Sequence, residues 1–159
     1  MSMKLRVSGI ILIVLAVAAL SIGAAFLYEG FSKQMFIEGA MRTENITLSS
    51  LGITGPNSGL VIQNAETAQI AGDTVRGHRH LIAPSYGALM AGGKYDPTNP
   101  EHLKYAQALN LENYLYMAVM GLGVTTIAEA AGGFMLIVAL ALGIIGCLLL
   151  GLSKKQLQP

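Results

Sequence analysis

Charged residues are scarce in this chain of 159 residues. Only 12% of the residues are Asp, Glu, Lys or Arg and 53% are hydrophobic, whereas soluble domains carry roughly 25% charged residues. The formal net charge is +1, so the chain lacks the overall basic field with which proteins attract nucleic acid. These shortages predict a membrane protein that has no nucleic-acid partner.

Cysteine and tryptophan are almost absent as well. The single cysteine, Cys147, excludes an intrachain disulfide, and its place in an apolar run favours the role of a small hydrophobic side chain. The chain has no tryptophan, so an aromatic belt at a membrane surface would have to come from Tyr and Phe.

Recognisable catalytic patterns are also missing. No Ser–His–Asp, Cys–His or paired-carboxylate arrangement has a familiar spacing, and the glycines around Gly92 and Gly93 lack the fingerprint of a nucleotide-binding loop. The sequence therefore predicts a protein that is not an enzyme and binds no cofactor.

Two long apolar runs carry no charge, Gly9 to Leu27 and Ala130 to Leu152. Nineteen helical residues extend roughly 28 Å, close to the thickness of the hydrocarbon core of a bilayer. Backbone polar groups find no water in lipid, so each run should be a helix. We expect two transmembrane helices that form a hairpin around an α-helical extracytoplasmic domain, which places the chain in the class of all-α membrane proteins.

The charges beside the two runs predict the orientation. Lys4 and Arg6 precede the first run, Lys154 and Lys155 follow the second, and neither tail holds an acidic residue. Basic tails stay in the cytoplasm, so the protein should lie in the plasma membrane with both termini inside. The expected segments are a tail at 1–8, a span at 9–27, an external domain at 28–129, a span at 130–152 and a tail at 153–159.

The alternative for the first run is a cleavable signal peptide, with a cleavage site at Ser21-Ile22-Gly23. The apolar part of a signal peptide usually has only 7 to 15 residues, and this longer run favours a retained helix.

The external domain should be mostly helical. The first helix is expected to continue to about Met41, and a second should begin at the N-cap Asn64 and end before Pro84. Between them, two β-like segments at 46–48 and 60–62 predict a small hairpin. The second helix should face inward through a stripe at three- and four-residue spacing: Ala68, Ala71, Val75, His78 and Ile82.

The last helix should begin at Asn99-Pro100-Glu101, where Asn is the N-cap and Pro is the first helical residue. Gly121 and Gly123 predict a break or bend, after which Thr125 or Thr126 would cap a separate membrane helix. Glu129 would then lie near the positive end of that helix. The alternative is that Glu129 lies on an ion path.

The segment from Arg76 to His80 contains four basic or titratable residues in five positions. His78 and His80 cannot bind one metal ion from the same helix, because helical chelation needs a spacing of three or four residues. His102 is far along the chain, so we expect no metal site. Arg76 and Arg79 would either contact an anion or a lipid headgroup or form a solvated helix end.

The second apolar run has small residues four apart, at Ala139, Gly143, Cys147 and Gly151. This pattern allows close helix packing in lipid. The partner would be the first span, a second copy or a different subunit.

The external segment resembles a group of bacterial two-span membrane proteins with no assigned activity. The matching residues are Gly39 to Ile46, then Thr67 to His78, and then Tyr95 followed by the Tyr- and Ala-rich helix at 96–116. The resemblance implies the two-span architecture and nothing about an activity. We therefore expect a structural or accessory subunit of a membrane complex or a homo-oligomer, in contact with lipid and protein partners. The alternative is a sensor whose external domain binds a ligand, lipid or metal.

Overall fold

The computed structural model describes residues 2–155, which are helical apart from loops and one isolated antiparallel bridge. The predicted all-helical class is confirmed within this range, and residues 156–159 of the predicted C-terminal tail lie outside it. Two of the helices, the first and the last, are long and apolar enough to span a membrane. The helices are α1 (Ser2–Glu44), a 3₁₀ helix (Leu48–Leu51), α2 (Ala65–Ile82), α3 (Tyr86–Met90) and α4 (Pro100–Lys155).

The described chain divides into two compact units. The first unit contains residues 2–33 of α1 and 124–155 of α4, and the second unit contains residues 34–123. Both long helices contribute to both units, because α1 and α4 cross the boundary without interruption.

In the first unit, the two helices meet along small residues that recur every seven positions. Seven residues are almost two helical turns, so such residues stay on one face. A methyl group on Gly9 would lie 3.1 Å from the carbonyl oxygen of Gly146, and one on Gly23 would lie 3.0 Å from that of Gly132. The two segments therefore run antiparallel with their backbones in close approach. The buried small residues at this seven-residue spacing are Gly9, Ala16, Gly23 and Gly30 on α1 and Thr125, Gly132, Ala139, Gly146 and Ser153 on α4.

The second unit has its own small hydrophobic core. Two alanines of α2, Ala68 and Ala71, are completely buried, as is Leu48 at the start of the 3₁₀ helix. Val75 of α2, Leu115 of α4 and Ile62 complete the buried cluster. α2 thus packs against α4, and the loop between α1 and α2 folds over them.

That loop contains the expected pairing of two β-like segments, although only as a single bridge between Thr47 and Val61. The amide of Ile62 donates to the carbonyl of Ile46, and the amide of Leu48 donates to that of Leu60, both at 2.9 Å. The amide of Ser49, inside the 3₁₀ helix that begins at Leu48, also donates to the carbonyl of Ser58 at 2.8 Å.

The predicted helix starts are confirmed. Asn64 Oδ1 accepts a hydrogen bond from the Thr67 amide at 2.9 Å, and Thr67 Oγ1 accepts one from the Asn64 amide at 3.2 Å. α4 begins at Pro100, and Asn99 Oδ1 accepts from the Glu101 amide at 2.9 Å. α2 ends at Ile82, two residues before Pro84.

The predicted break at Gly121 and Gly123 is wrong, because α4 is one helix from Pro100 to Lys155. A glycine costs roughly 1 kcal/mol in a helix interior, and packing offsets this cost at Gly121. A methyl group there would lie 2.8 Å from Ile37 Cδ1, so the absent side chain makes room for Ile37 of α1. Thr125 and Thr126 are therefore inside the helix, and Glu129 does not lie near a helix start.

Candidate functional site

The arginines and histidines between Arg76 and His80, and the third histidine, His102, lie in different surroundings. Arg76, His78 and His80 are exposed on α2, whereas Arg79 is buried. His102 is elsewhere: its Nδ1 accepts from the Asp96 amide at 3.0 Å, and its ring stacks on Tyr95. Within residues 2–155 no three His, Cys, Asp or Glu side chains are grouped as a metal site would require. The structure therefore does not bring the three histidines together.

Arg79 forms the most buried polar contact of the second unit. Its Nε donates to Glu112 Oε2 at 2.6 Å and its Nη2 donates to Glu112 Oε1 at 3.3 Å. These two hydrogen bonds make a bidentate ion pair between α2 and α4. Its Nη1 donates to the hydroxyl of Tyr105, whose side chain is 1% exposed. The hydrogen bond with Glu112 raises the pKa of Arg79 above its usual value. Arg79 is therefore not part of a solvated helix end.

The inward stripe of α2 differs from the prediction at this point. Ala68, Ala71 and Val75 are buried as expected, but the next buried side chain is Arg79, and His78 is exposed. Arg79 lies inward because it pairs with the carboxylate of Glu112 on α4. The sequence of α2 alone does not show this partner. The signal that was missed is in α4, where Tyr105 and Glu112 lie seven residues apart and share a buried face.

Arg76 lies at a more exposed contact. Its Nη2 is 2.9 Å from Asp73 Oδ1, which also accepts from the Tyr116 hydroxyl at 2.7 Å. Hydrogen bonds from Gln69 and then Tyr116 lower the pKa of Asp73. Desolvation and the hydrogen bond to Asp73 raise the pKa of Tyr116 to about 12. An anion or lipid contact stays a prediction for Arg76, whereas the donors of Arg79 already contact Glu112 and Tyr105.

A cleft of about 490 Å³ opens between the 3₁₀ helix, α2 and α4 in the second unit. Its rim carries His78 of α2 with Lys104 and Gln107 of α4, and Leu51 and Leu111 contribute apolar surface. No carboxylate lines it. Its chemistry suits an anion better than a cation.

The predicted small-residue face of the second span coincides only in part with the observed contact. Ala139 is buried and Gly143 is half-buried, but Cys147 and Gly151 are exposed. Steps of four residues advance about 40° beyond a full turn, so such a face drifts around the helix. The small residues that meet α1 are spaced by seven, and Gly146 rather than Cys147 makes the close contact.

Glu129 lies against that contact, beside Gly30. A methyl group on Gly30 would be 2.7 Å from Glu129 Cγ, so glycine is what allows the carboxyl side chain to lie there. Glu129 Oε1 is buried and has no hydrogen-bond partner in the described part of the chain. It is the one charged residue between Glu112 and Lys154.

Large apolar side chains are exposed on α4 within the second unit. Tyr114, Met117 and Met120, which we call the α4 stripe, are 69%, 65% and 71% exposed. They recur every three residues and so lie near one face of the helix. Val124 and Ile127 follow at similar spacing and are also exposed.

No protein-family model, curated protein or solved structure matches this chain.

Proposed function

We propose that this chain is a non-enzymatic integral membrane protein that serves as a structural or accessory subunit of a membrane assembly. α1 and α4 would cross the bilayer as a hairpin, with both basic tails in the cytoplasm and the second unit outside. Two observations support this arrangement: the two apolar helices and the close antiparallel contact of their small residues.

The observation that carries the subunit role is the length of the apolar part of α4. Residues 113–153 include one charged residue, Glu129. Forty-one helical residues extend about 60 Å, roughly twice the hydrocarbon core of a bilayer. Lipid therefore covers only part of this length, and the exposed α4 stripe is left outside. Apolar surface of this kind in water marks a protein contact.

A second copy of the chain is the partner that fits this stripe. Copies inserted in the same orientation place the same stripe at the same height above the membrane. Flexible methionine side chains adapt to one another's surfaces. Symmetric pairing through one patch is also the commonest way in which proteins assemble.

Cysteine cross-linking in native membranes tests this proposal. Met120→Cys, in a Cys147→Ala background, should give a disulfide-linked dimer after mild oxidation. Glu66→Cys, exposed on α2 outside the stripe, is the matched control and should stay monomeric. A link to a different membrane protein would keep the subunit role and overturn self-association. A monomer with no adduct at Met120→Cys would overturn both.

A further inference from the structure

The cleft beside the 3₁₀ helix differs from the rest of the basic surface of α2. The two neighbouring arginines are neutralised, Arg76 by Asp73 and Arg79 by Glu112. The side chain of His78 faces the cleft and forms no hydrogen bond or ion pair with any residue from 2 to 155, and the same is true of the side chain of Lys104 on α4. Two groups that can carry positive charge therefore share one cleft without an acidic partner.

Two further features suit a ligand. Gln107 lines the same cleft, and its side-chain amide has no hydrogen-bond partner among the described residues. This side chain can therefore donate a hydrogen bond to a ligand. The apolar surface comes from Leu51 and Leu111, which are partly buried and pack against the core of the unit. A volume of about 490 Å³ is within the usual range of roughly 300 to 1,000 Å³ for small-molecule sites.

Gly52 borders the cleft on its loop side. Gly52 ends the 3₁₀ helix with φ of +83°, a left-handed conformation that glycine adopts without strain. A methyl group at this position would lie 3.7 Å from His78 Cε1. Because Gly52 has no side chain, the imidazole edge stays accessible from the loop side.

We propose that this cleft binds a small organic anion, a carboxylate with a short apolar body. The Lys104 ammonium and the His78 imidazole contact the carboxylate, and the Gln107 amide donates a third hydrogen bond. The apolar body lies on Leu51 and Leu111. Charge-assisted hydrogen bonds supply the selectivity for an anion, and the apolar surface separates an organic carboxylate from inorganic phosphate.

Titration calorimetry on the full-length protein in detergent micelles tests the site, with hexanoate as the probe. Hexanoate should bind saturably at one site, whereas hexylamine and inorganic phosphate should not. Partition of hexanoate into micelles is not saturable, which separates it from binding.

Lys104→Gln and His78→Gln should each weaken hexanoate binding at least fivefold. Both side chains are exposed, so neither change should alter the unfolding temperature. Lys94→Gln removes the same charge from an exposed loop position and should leave affinity unchanged. Equal affinity in Lys104→Gln and Lys94→Gln, phosphate binding without hexanoate binding, or the absence of any saturable heat would each overturn the proposal. None of these results bears on cross-linking at Met120, so the two proposals fail separately.

Discussion

At the scale of single residues, the buried ion pair between Arg79 and Glu112 joins α2 to α4. Both side chains are about nine-tenths buried, so each charge depends on the other for compensation. The desolvation of two charges offsets much of their attraction, and such pairs contribute more to a unique arrangement than to net stability. The hydrophobic core of the second unit has two alanines, Ala68 and Ala71, and four larger aliphatic side chains, Leu48, Ile62, Val75 and Leu115.

Removal of one partner should therefore lower the free energy of unfolding much more than removal of both. Arg79→Met leaves Glu112 buried without compensation and should lower the free energy of unfolding by about 3–5 kcal/mol. The double variant Arg79→Met with Glu112→Leu should recover a large part of that loss. Chemical unfolding in detergent measures both changes.

Arg76→Met is the matched control for this series. Its ion pair with Asp73 is about half exposed on both sides, and exposed pairs contribute at most about 1 kcal/mol. If Arg79→Met costs no more than Arg76→Met, the buried pair does not position the helices.

The contact between Tyr116 and Asp73 makes stability depend on alkaline pH. The phenol donates to a carboxylate, and the pKa of Tyr116 is raised to about 12 from the usual value near 10. The folded protein holds this proton to higher pH than the unfolded chain does. The contribution is therefore complete below about pH 10 and is lost as the pH rises through 12.

Ultraviolet titration of tyrosinate should reveal this group directly. The difference between the curves of the wild type and Tyr116→Phe should have its midpoint at about pH 12. The fall in the free energy of unfolding between pH 10 and 12 should also be smaller in Tyr116→Phe. A difference curve centred near pH 10 would contradict the contact.

At the scale of elements, the sequence predicted the ends of helices better than their faces. Asn64 and Asn99 predicted two helix starts, because an N-cap side chain satisfies backbone amides of its own segment. The continuity of α4 was missed, since the space that Gly121 leaves is filled by Ile37, eighty-four residues earlier in the chain. Arg79 was misjudged for the same reason: its partner is on another helix. Interactions within one segment can be predicted from the sequence of that segment, whereas contacts between distant segments cannot.

The contact between the small residues spaced by seven depends on the sequences of both long helices. A methyl group on Gly132 would lie 2.8 Å from Leu27 Cγ and 2.9 Å from the carbonyl oxygen of Gly23. The carbonyl oxygen of Gly23 belongs to the helix backbone, so it cannot move aside as the end of a flexible side chain can. Gly132→Ala should therefore destabilise the helix pair by about 1–3 kcal/mol, as overpacking does. Denaturant titration of the protein in mixed micelles measures this change.

The adjacent glycine provides the control. A methyl group on Gly133 would meet nothing within 4 Å, so Gly133→Ala should be neutral or raise stability by up to about 1 kcal/mol through helix propensity. Equal losses at both positions would mean that the two helices do not meet along this face.

At the scale of the whole molecule, the two units differ in the side chains that they expose and bury. The first unit exposes large aliphatic side chains such as Ile10, Val14 and Ile137, which a bilayer would cover. The second unit buries its aliphatic residues around α2 and holds polar contacts such as the pair of Arg79 and Glu112. One chain thus combines a helix pair that has an apolar outer face with a unit that has a hydrophobic core and buried polar contacts.

This difference predicts which parts of the chain are reachable from outside a cell. In a Cys147→Ala background, Asn57→Cys lies in the exposed loop of the second unit and Lys154→Cys near the end of α4. A membrane-impermeant maleimide should label Asn57→Cys on intact cells, and it should label Lys154→Cys only after the cells are opened, because basic flanks stay in the cytoplasm. Labelling of Lys154→Cys on intact cells would reverse the orientation. Recovery of both variants in the soluble fraction without detergent would mean that neither α1 nor α4 crosses a bilayer, and the exposed aliphatic face of the first unit would then need a protein cover instead.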